Sequence, residues 1–225
     1  MRYFLILLAA VLTLTACTDS NTNSNSNKEE TKLLKKAKRI HTAALTVDSH
    51  TDTPLRIGRQ GFDFGIRNDP TETRSKIDLP RMKEGEMDGI WFAVFVGQGP
   101  RTPEGNQKAR QRANEVTEVI YETVNLFPDA LEVATRANDL ARIARKGKHA
   151  IYIGMENGYP LGTNLDLLDE YYEKGVRYVT LVHTDNNDIC DSSTDSTEHG
   201  GLSGFGRDVV ARMNDLGIMV DVSHA

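Results

Sequence analysis

Short apolar runs alternate along the chain with amphipathic segments. Five of these runs are rich in β-branched and aromatic residues, which is the pattern of β-strands. One of them, residues 89–96, is almost continuously apolar, as expected for a strand that is buried on both faces. The predicted strands are residues 45–49, 89–96, 149–155, 176–182 and 218–223.

Helices are predicted for the amphipathic segments, in which apolar residues recur at helical spacing. Several of these segments stop at a glycine, which can adopt the left-handed conformation that ends a helix. Residues 55–75, rich in Gly, Arg and Asp, and the polar residues 184–201 are predicted to be loops. A loop as long as the first is usually functional or disordered. The predicted helices are residues 28–44, 77–85, 103–127, 135–146, 164–174 and 205–216.

Strands that alternate with helices indicate an α/β fold with a parallel sheet and right-handed crossovers. These units fit either an open doubly wound sheet or a (β/α)8 TIM-like barrel. The first strand leads into His-x-Asp at residues 50–52 instead of a glycine-rich phosphate-binding turn, which disfavours a nucleotide-binding open sheet. A complete barrel typically needs about 250 residues. We therefore expect an incomplete barrel with about five βα units, whose C-terminal part is either absent from this sequence or supplied elsewhere.

The first residues have the pattern of a targeting segment. Residues 1–16 carry one basic residue and an apolar run too short to span a bilayer, and they precede Cys17. This is similar to a bacterial lipoprotein signal, with cleavage before Cys17 and lipidation of its thiol; an ordinary secretory signal with a chance cysteine is the alternative. Residues 17–27, rich in Asn, Ser and Thr, would form a flexible tether, and residues 28–225 the barrel part. We expect a lipid-anchored, extracytoplasmic protein of the bacterial cell envelope.

Composition contributes mainly by exclusion. The net charge is −5, with acidic and basic residues interspersed, which argues against nucleic acid as a partner. An apolar share of 39% and a mean hydropathy of −0.44 indicate a soluble body. Once Cys17 is lipidated, Cys190 is the one remaining cysteine, so no disulfide can form within the chain.

Polar side chains follow four of the five predicted strands. His50 and Asp52 lie two residues apart at the end of the first strand, and therefore on the same face of an extended chain. Glu156, His183 and His224 follow the third, fourth and fifth strands. Because the carboxyl ends of barrel strands form the active-site face, these side chains are expected to converge. Imidazoles and carboxylates without thiolates suit zinc or a similar divalent ion, and a carboxylate such as Glu156 can bridge two ions about 3.5–4 Å apart.

Other polar residues have ordinary structural interpretations. His41 and His149 are flanked by helical or strand context and are expected to be structural residues, and His199 is expected to be an exposed loop residue. Asp48 either orients His50 as a hydrogen-bond acceptor or caps the neighbouring turn. Four aspartates of the polar loop lack the Asp-x-Asp-x-Asp-Gly spacing of a calcium site, which favours a solvated turn. These aspartates are Asp185, Asp188, Asp191 and Asp195.

Three motifs stand out: Val-Asp-Ser-His-Thr-Asp-Thr-Pro around His50, Gly-Met-Glu-Asn-Gly around Glu156, and the segment that leads to His183. With further blocks from about residue 40 to the end of the sequence, they resemble the membrane (renal-type) dipeptidases, a family of zinc metallopeptidases. They occur in the order of the family, and the combination is highly specific. The matching blocks are residues 47–54, 77–85, 89–94, 154–158, 175–183, 201–206 and 216–224.

The resemblance implies a binuclear zinc hydrolase on a (β/α) barrel related to the amidohydrolases. By position, His50 and Asp52 would bind the first zinc ion, and Glu156 would bridge both ions. His224 would be the first histidine of the second zinc, and His183 would contact the substrate and steady the developing oxyanion. In the family, another zinc-binding histidine, a substrate-binding arginine and a late aspartate would lie beyond the last residue of this sequence.

The resulting expectation is a zinc-dependent dipeptidase in which a metal-bridging hydroxide attacks the scissile carbonyl, with Glu156 and His183 as catalytic residues. Its partners would be dipeptides and, through the lipid on Cys17, a membrane; a homodimer is left open. Residues 188–191 depart from the Trp-containing segment familiar in mammalian members, so the substrate preference stays open. Two alternatives remain. One is a barrel enzyme that hydrolyses another amide or a lactam, and the other, if the chain is complete, is a lipoprotein that binds metal or peptide without turnover.

Overall fold

The computed structural model describes residues 20–59 and 61–225. The predicted signal peptide and its lipidation site, Cys17, lie outside the described residues. The described chain consists of helix α1 (Ser20–Ala43), which belongs to one compact unit, and a second, α/β unit formed by residues 44–225. None of the helices in the described residues combines the length and the apolar character that a bilayer span requires.

Helix α1 begins earlier than the sequence pattern predicts. The predicted start is Lys28, whereas the helix begins at Ser20 and includes residues that the sequence assigns to the tether. Once a helix is nucleated, each further residue adds one backbone hydrogen bond, so a helix can extend into a segment that has no apolar face.

One parallel sheet forms the centre of the α/β unit. Its six strands are β1 (Val47–Thr51), β2 (Gly89–Phe95), β3 (Leu131–Val133), β4 (His149–Glu156), β5 (Val176–Thr180) and β6 (Met219–Asp221). Neighbouring strands follow the order β1-β2-β4-β5-β6, and each pair is parallel. β3 is outside this order and pairs with the first residues of β4. The sheet is that of a partial TIM-like barrel, which confirms the predicted fold class.

Helices lie between successive strands in the sequence, and their ends follow the usual capping chemistry. The longest begins after Thr102, whose hydroxyl accepts the N–H of Gly105, and it has Pro103 in its first turn. Short 3₁₀ turns, Thr53–Leu55 and Tyr159–Leu161, follow β1 and β4. The α-helices of this unit are α2 (Pro70–Thr73), α3 (Leu79–Glu84), α4 (Pro103–Leu126), α5 (Asp139–Ala144), α6 (Leu167–Glu173) and α7 (Gly204–Leu216).

The core surrounds β4, in which every residue is buried. β2 pairs with it along most of its length, and the apolar side of α4 contributes Ala113, Val116 and Ile120 to the same core. Full burial of a valine or isoleucine side chain stabilises a fold by about 1.5–3 kcal/mol. Glu156, the last residue of β4, is therefore carried by the most firmly packed element of the sheet.

The sequence pattern does not predict β3, and it makes the following helix too long. β3 has three residues, too few for a period of two to be visible. The next helix begins at Asp139 instead of Thr135, because the Asp139 carboxylate accepts the backbone N–H groups of Thr135 and Arg136 and so holds these residues in a turn. The predicted five strands are thus six.

Strand ends also differ from those predicted. β1 continues through His50 to Thr51, and β4 includes Glu156. β5 ends at Thr180 and β6 at Asp221, before the predicted ends. His183 and His224 therefore belong to the loops beyond their strands.

Candidate metal centre

The five side chains predicted from the strand ends lie together at the carboxyl edge of the sheet. His50 comes from β1, Asp52 directly follows it, and Glu156 ends β4. His183 and His224 lie just beyond β5 and β6. Because these strands are neighbours in one parallel sheet, their carboxyl ends meet on one side. A cavity of about 450 Å³ opens there, and its lining includes His50, Glu156 and His224.

Glu156 lies at the centre of this group, and its side chain is buried. Its oxygen Oε2 is 3.4 Å from Nε2 of His50. Its other oxygen, Oε1, is 3.4 Å from Nε2 of His224 and 3.5 Å from Nε2 of His183. The two oxygens thus face two separate sets of imidazoles, as a carboxylate that bridges two ions does.

The donor set fits zinc. Two groups of candidate ligands share Glu156, and within each group one atom per residue lies within 4.8 Å of the others. At the usual zinc–ligand distances of about 2.0–2.2 Å, two ligands of a tetrahedral ion lie about 3.3–3.6 Å apart. Glu156 and the histidine nitrogens are separated by 3.4–3.5 Å, which is longer than a good hydrogen bond. The two groups are His50, Asp52 and Glu156, and Glu156, His183 and His224.

The carboxylates beside His50 favour the charged form of its ring. Nε2 lies 3.8 Å from Oδ1 of Asp52 and faces Glu156 as described. Asp52 and then Glu156 raise the pKa of His50 to about 10, against the opposing effect of burial. In turn His50 lowers the pKa of Asp52. A metal-binding imidazole must be neutral, so a cation at this position takes the place of a proton.

His183 and His224 lie side by side. Their ring centroids are 4.2 Å apart, and Phe95 packs edge-on against His183 at 4.8 Å. The family resemblance assigns only His224 to the metal and gives His183 to the substrate. The geometry places both rings equally close to Glu156, so it admits either histidine as a ligand.

Tyr178 and Asp221 also line the cavity, and the sequence analysis did not identify them. The phenol oxygen of Tyr178 contacts Nδ1 of His50, and the hydroxyl of Thr180 donates to the Asp221 carboxylate. The sequence alone does not mark them, because only the strand register relates them to the site. Tyr178 is two residues before Thr180 on the same strand and so shares its face, and Asp221 is the direct cross-strand partner of Thr180.

Asp48 does not orient the ring of His50. Its carboxylate accepts the backbone N–H of His50 at 3.0 Å, which agrees with the local-turn interpretation of the two considered. The hydrogen-bond partner of the ring is Tyr178.

Two further histidines and the loop aspartates make structural contacts. His149 is buried, and its Nδ1 contacts the carbonyl of Met87. His199, predicted to be exposed, is half-buried because its ring Nε2 contacts the carbonyl of Asn187. Within residues 20–59 and 61–225, the loop aspartates form no group of candidate metal ligands. Asp191 instead accepts backbone N–H groups from residues 198–201.

Comparison with known proteins decides the family. The sequence profile of the Membrane dipeptidase (Peptidase family M19) matches residues 34–225. The chain belongs to this family. The resemblance inferred from the sequence motifs is thereby confirmed, and the family is one of metallopeptidases, which agrees with the donor set around Glu156.

Curated relatives of this chain are named dipeptidases. Dipeptidase tcpJ of Claviceps purpurea is 33% identical over 185 residues, which are 79% of this chain and 43% of the relative. Dipeptidase 3 of Mus musculus is 33% identical over 189 residues, which are 80% of this chain and 36% of the relative. The chain thus spans less than half the length of these two relatives.

Two solved structures with a similar fold are likewise those of peptidases. The probable dipeptidase PvdM from Pseudomonas aeruginosa is 32% identical with a TM-score of 0.78, over 86% of this chain and 50% of that one. A metallo peptidase from Rhodobacter sphaeroides, liganded with a phosphinate mimic of the dipeptide L-Ala-D-Ala, shares the fold at 24% identity and a TM-score of 0.68. That match covers 80% of this chain and 58% of the other.

Proposed function

We propose that this chain carries the zinc-binding residues of a dipeptidase. The observation that supports the proposal is the position of Glu156, a buried carboxylate with one oxygen facing His50 and the other facing His183 and His224. Relatives at 32–33% identity that are named dipeptidases, one of them a probable dipeptidase, support dipeptides as the substrate class.

The residues divide into two ion sites that share Glu156. His50 and Asp52 would hold one zinc ion with it, and His224 would hold the other, for which the family resemblance implies a further histidine. Zinc, when bound, supplies a Lewis acid and lowers the pKa of a bound water towards neutrality. Glu156 would hold the two sites at a fixed separation, because it is the last residue of a fully buried strand.

His183 would act on the substrate. From its position beside Glu156, Nε2 can donate a hydrogen bond to the oxygen of the scissile carbonyl as negative charge develops there. Such a donor contributes about 3–4 kcal/mol in comparable hydrolases. The edge-on contact with Phe95 restricts the ring to few orientations, which is what a preorganised donor requires.

The test is hydrolysis of dipeptides, with and without a chelator, by the wild-type chain and by Glu156→Gln. L-Ala-D-Ala is a suitable first substrate, because the Rhodobacter sphaeroides structure holds its phosphinate mimic. We expect chelator-sensitive turnover that Glu156→Gln abolishes together with zinc content. Glu118→Gln, at an exposed position of α4, is the matched control and should leave both unchanged.

Other outcomes would support the alternatives. Turnover of a lactam or another amide without dipeptide turnover would indicate a related hydrolase. Stoichiometric binding of zinc or peptide without product would indicate a binding protein. Wild-type zinc content and activity in Glu156→Gln would contradict the assignment of the site.

We also propose that the protein is anchored by a lipid on Cys17, as the sequence pattern of residues 1–17 indicates. Mass spectrometry of the N-terminal peptide should find a diacylated Cys17, and Cys17→Ala should move the protein from the membrane fraction to the soluble fraction. A wild-type protein without lipid would contradict the anchor. Light scattering of the purified protein would decide between a monomer and a homodimer.

A further inference from the structure

The sheet does not position His183 and His224. β5 ends at Thr180 and β6 at Asp221, so both histidines lie in loops where no ladder of hydrogen bonds fixes the backbone. Their rings nevertheless lie 4.2 Å apart and face the same oxygen of Glu156. Another part of the chain must therefore hold the two loops next to each other.

That element is a pair of serines in the polar loop. The hydroxyl of Ser192 donates to the backbone carbonyl of His183 at 2.6 Å. The backbone N–H of Ser193 donates to the carbonyl of His224 at 2.9 Å, and its hydroxyl donates to the same carbonyl at 3.0 Å. Two adjacent residues thus supply hydrogen bonds to the backbone carbonyls of these two loop histidines.

The loop is ordered enough to act as a link. Ser192 is buried, and its backbone N–H donates to Oδ1 of Asn186 at 2.7 Å. The amide group of Asn186 donates to the carbonyl of Ser196 at 2.6 Å, and its backbone N–H donates to Asp195. These side-chain bonds close the loop on itself, so several hydrogen bonds together set its position.

We propose that Ser192 and Ser193 are positioning residues that hold His183 and His224 together beside Glu156. We call this pair of serines the clasp. The proposal rests on the proposed function, since it explains how two loop histidines keep the geometry of the metal and substrate site. Neither serine needs to touch the substrate or an ion. The clasp is specific to the Oε1 side of Glu156, because neither serine contacts His50 or Asp52 in the described residues.

The test compares Ser192→Ala, which removes the hydroxyl, with Ser192→Thr, which keeps it. Ser196→Ala is the matched control, since the Ser196 hydroxyl is exposed and donates to the neighbouring Asp195. The probe is Co²⁺ titrated into the metal-free full chain, with the visible absorption of the bound ion as readout. The intensity and position of the absorption report the arrangement of the ligands. A variant that is less stable but has an unchanged site would give the wild-type spectrum.

We expect Ser192→Ala to bind Co²⁺ about tenfold or more weakly and with an altered spectrum, as is usual when a group supporting a metal ligand is removed. Ser192→Thr and Ser196→Ala should match wild type. Ser193→Ala should have a Co²⁺ affinity between those of wild type and Ser192→Ala, because the hydrogen bond from its backbone N–H to the His224 carbonyl remains. Equal spectra and affinities for Ser192→Ala and Ser196→Ala would overturn the clasp.

A second readout keeps this proposal separate from the proposed function. Amide exchange of Ser193 in the metal-free chain should be slow in wild type and in Ser192→Thr, and at least tenfold faster in Ser192→Ala. If wild type takes up no Co²⁺ but this pattern holds, the proposed function fails and the clasp stands. If wild type binds Co²⁺ and exchange does not change with Ser192→Ala, the clasp fails and the proposed function stands.

Discussion

The phenol oxygen of Tyr178 lies 2.9 Å from Nδ1 of His50, on the side of the ring opposite to the one that faces Glu156. Burial and then the nearby Glu156 and Asp221 raise the pKa of Tyr178, so it remains a neutral phenol at physiological pH. With a cation at Nε2 of His50, Nδ1 would carry the proton and donate a hydrogen bond to the phenol oxygen. This hydrogen bond fixes both the tautomer and the direction of the ring.

Tyr178→Phe should therefore weaken zinc binding by about tenfold without unfolding the chain. The ring would remain, and so would its packing against Trp91 at 5.2 Å. Tyr152→Phe is the control, because Tyr152 also packs against Trp91 but its hydroxyl donates to the carbonyl of Arg136. Competition with a coloured zinc chelator measures the affinity. An unchanged affinity in Tyr178→Phe, or an equal loss in both variants, would contradict this role.

Gly154 on β4 makes room for the Tyr178 ring. The two residues are direct cross-strand partners, and ring atoms of Tyr178 occupy the space that a Cβ at position 154 would need. Gly154→Ala should cost about 1–3 kcal/mol of the free energy of unfolding, as other substitutions that overfill a packed site do. It should also displace the phenol from His50 and so lower zinc affinity.

Urea denaturation followed by circular dichroism measures this loss. Gly204→Ala is the matched control, since a Cβ there meets no atom within 4 Å. It should be neutral or slightly stabilising. A Gly154→Ala chain as stable as wild type would show that the Tyr178 ring is free to move, which would weaken the argument for a fixed His50.

The buried thiol of Cys190 makes the free energy of unfolding depend on pH. Burial of the thiol, followed by Asp191, raises its pKa from the usual 9.0 to about 11. Folding thus favours the neutral thiol. The resulting contribution to stability is complete below pH 9 and is lost as the pH rises towards 11, because the unfolded thiol ionises first.

The measurement is the free energy of unfolding of wild type and Cys190→Ala at pH 8 and at pH 10.5. Other groups titrate over this range, so the difference between the two proteins isolates the thiol. Wild type should lose more stability than Cys190→Ala between the two pH values. Equal losses would mean that the thiol ionises as readily in the folded chain as in the unfolded one.

The sequence was a good guide wherever a feature depends on short-range pattern. His50 and Glu156 were found because each ends an apolar run, and the convergence of strand ends in a parallel sheet is a general rule. β3 was missed because three residues are too few to show a period. The helix at Thr135 was overextended because the Asp139 side chain captures backbone N–H groups, a contact that no helical pattern reveals.

The site contains two kinds of residue, and only one kind is visible in a sequence. Metal-binding types such as His183 and His224 attract attention by their chemistry. Tyr178, Ser192 and Ser193 do not, because their roles come from cross-strand register and from a loop that folds back across two strands. Their contacts join positions that are far apart in the chain, so they appear only once the sheet order is known.

The most direct test of the account is a crystal structure of the chain with zinc, with anomalous diffraction measured at the zinc absorption edge. We predict an anomalous peak within bonding distance of Oε2 of Glu156 and of His50 and Asp52, and, where a further ligand is supplied, a second peak at Oε1 beside His224. An ordered chain with no anomalous peak at Glu156, or with zinc bound only elsewhere, would contradict the claim that this carboxylate is the centre of the site.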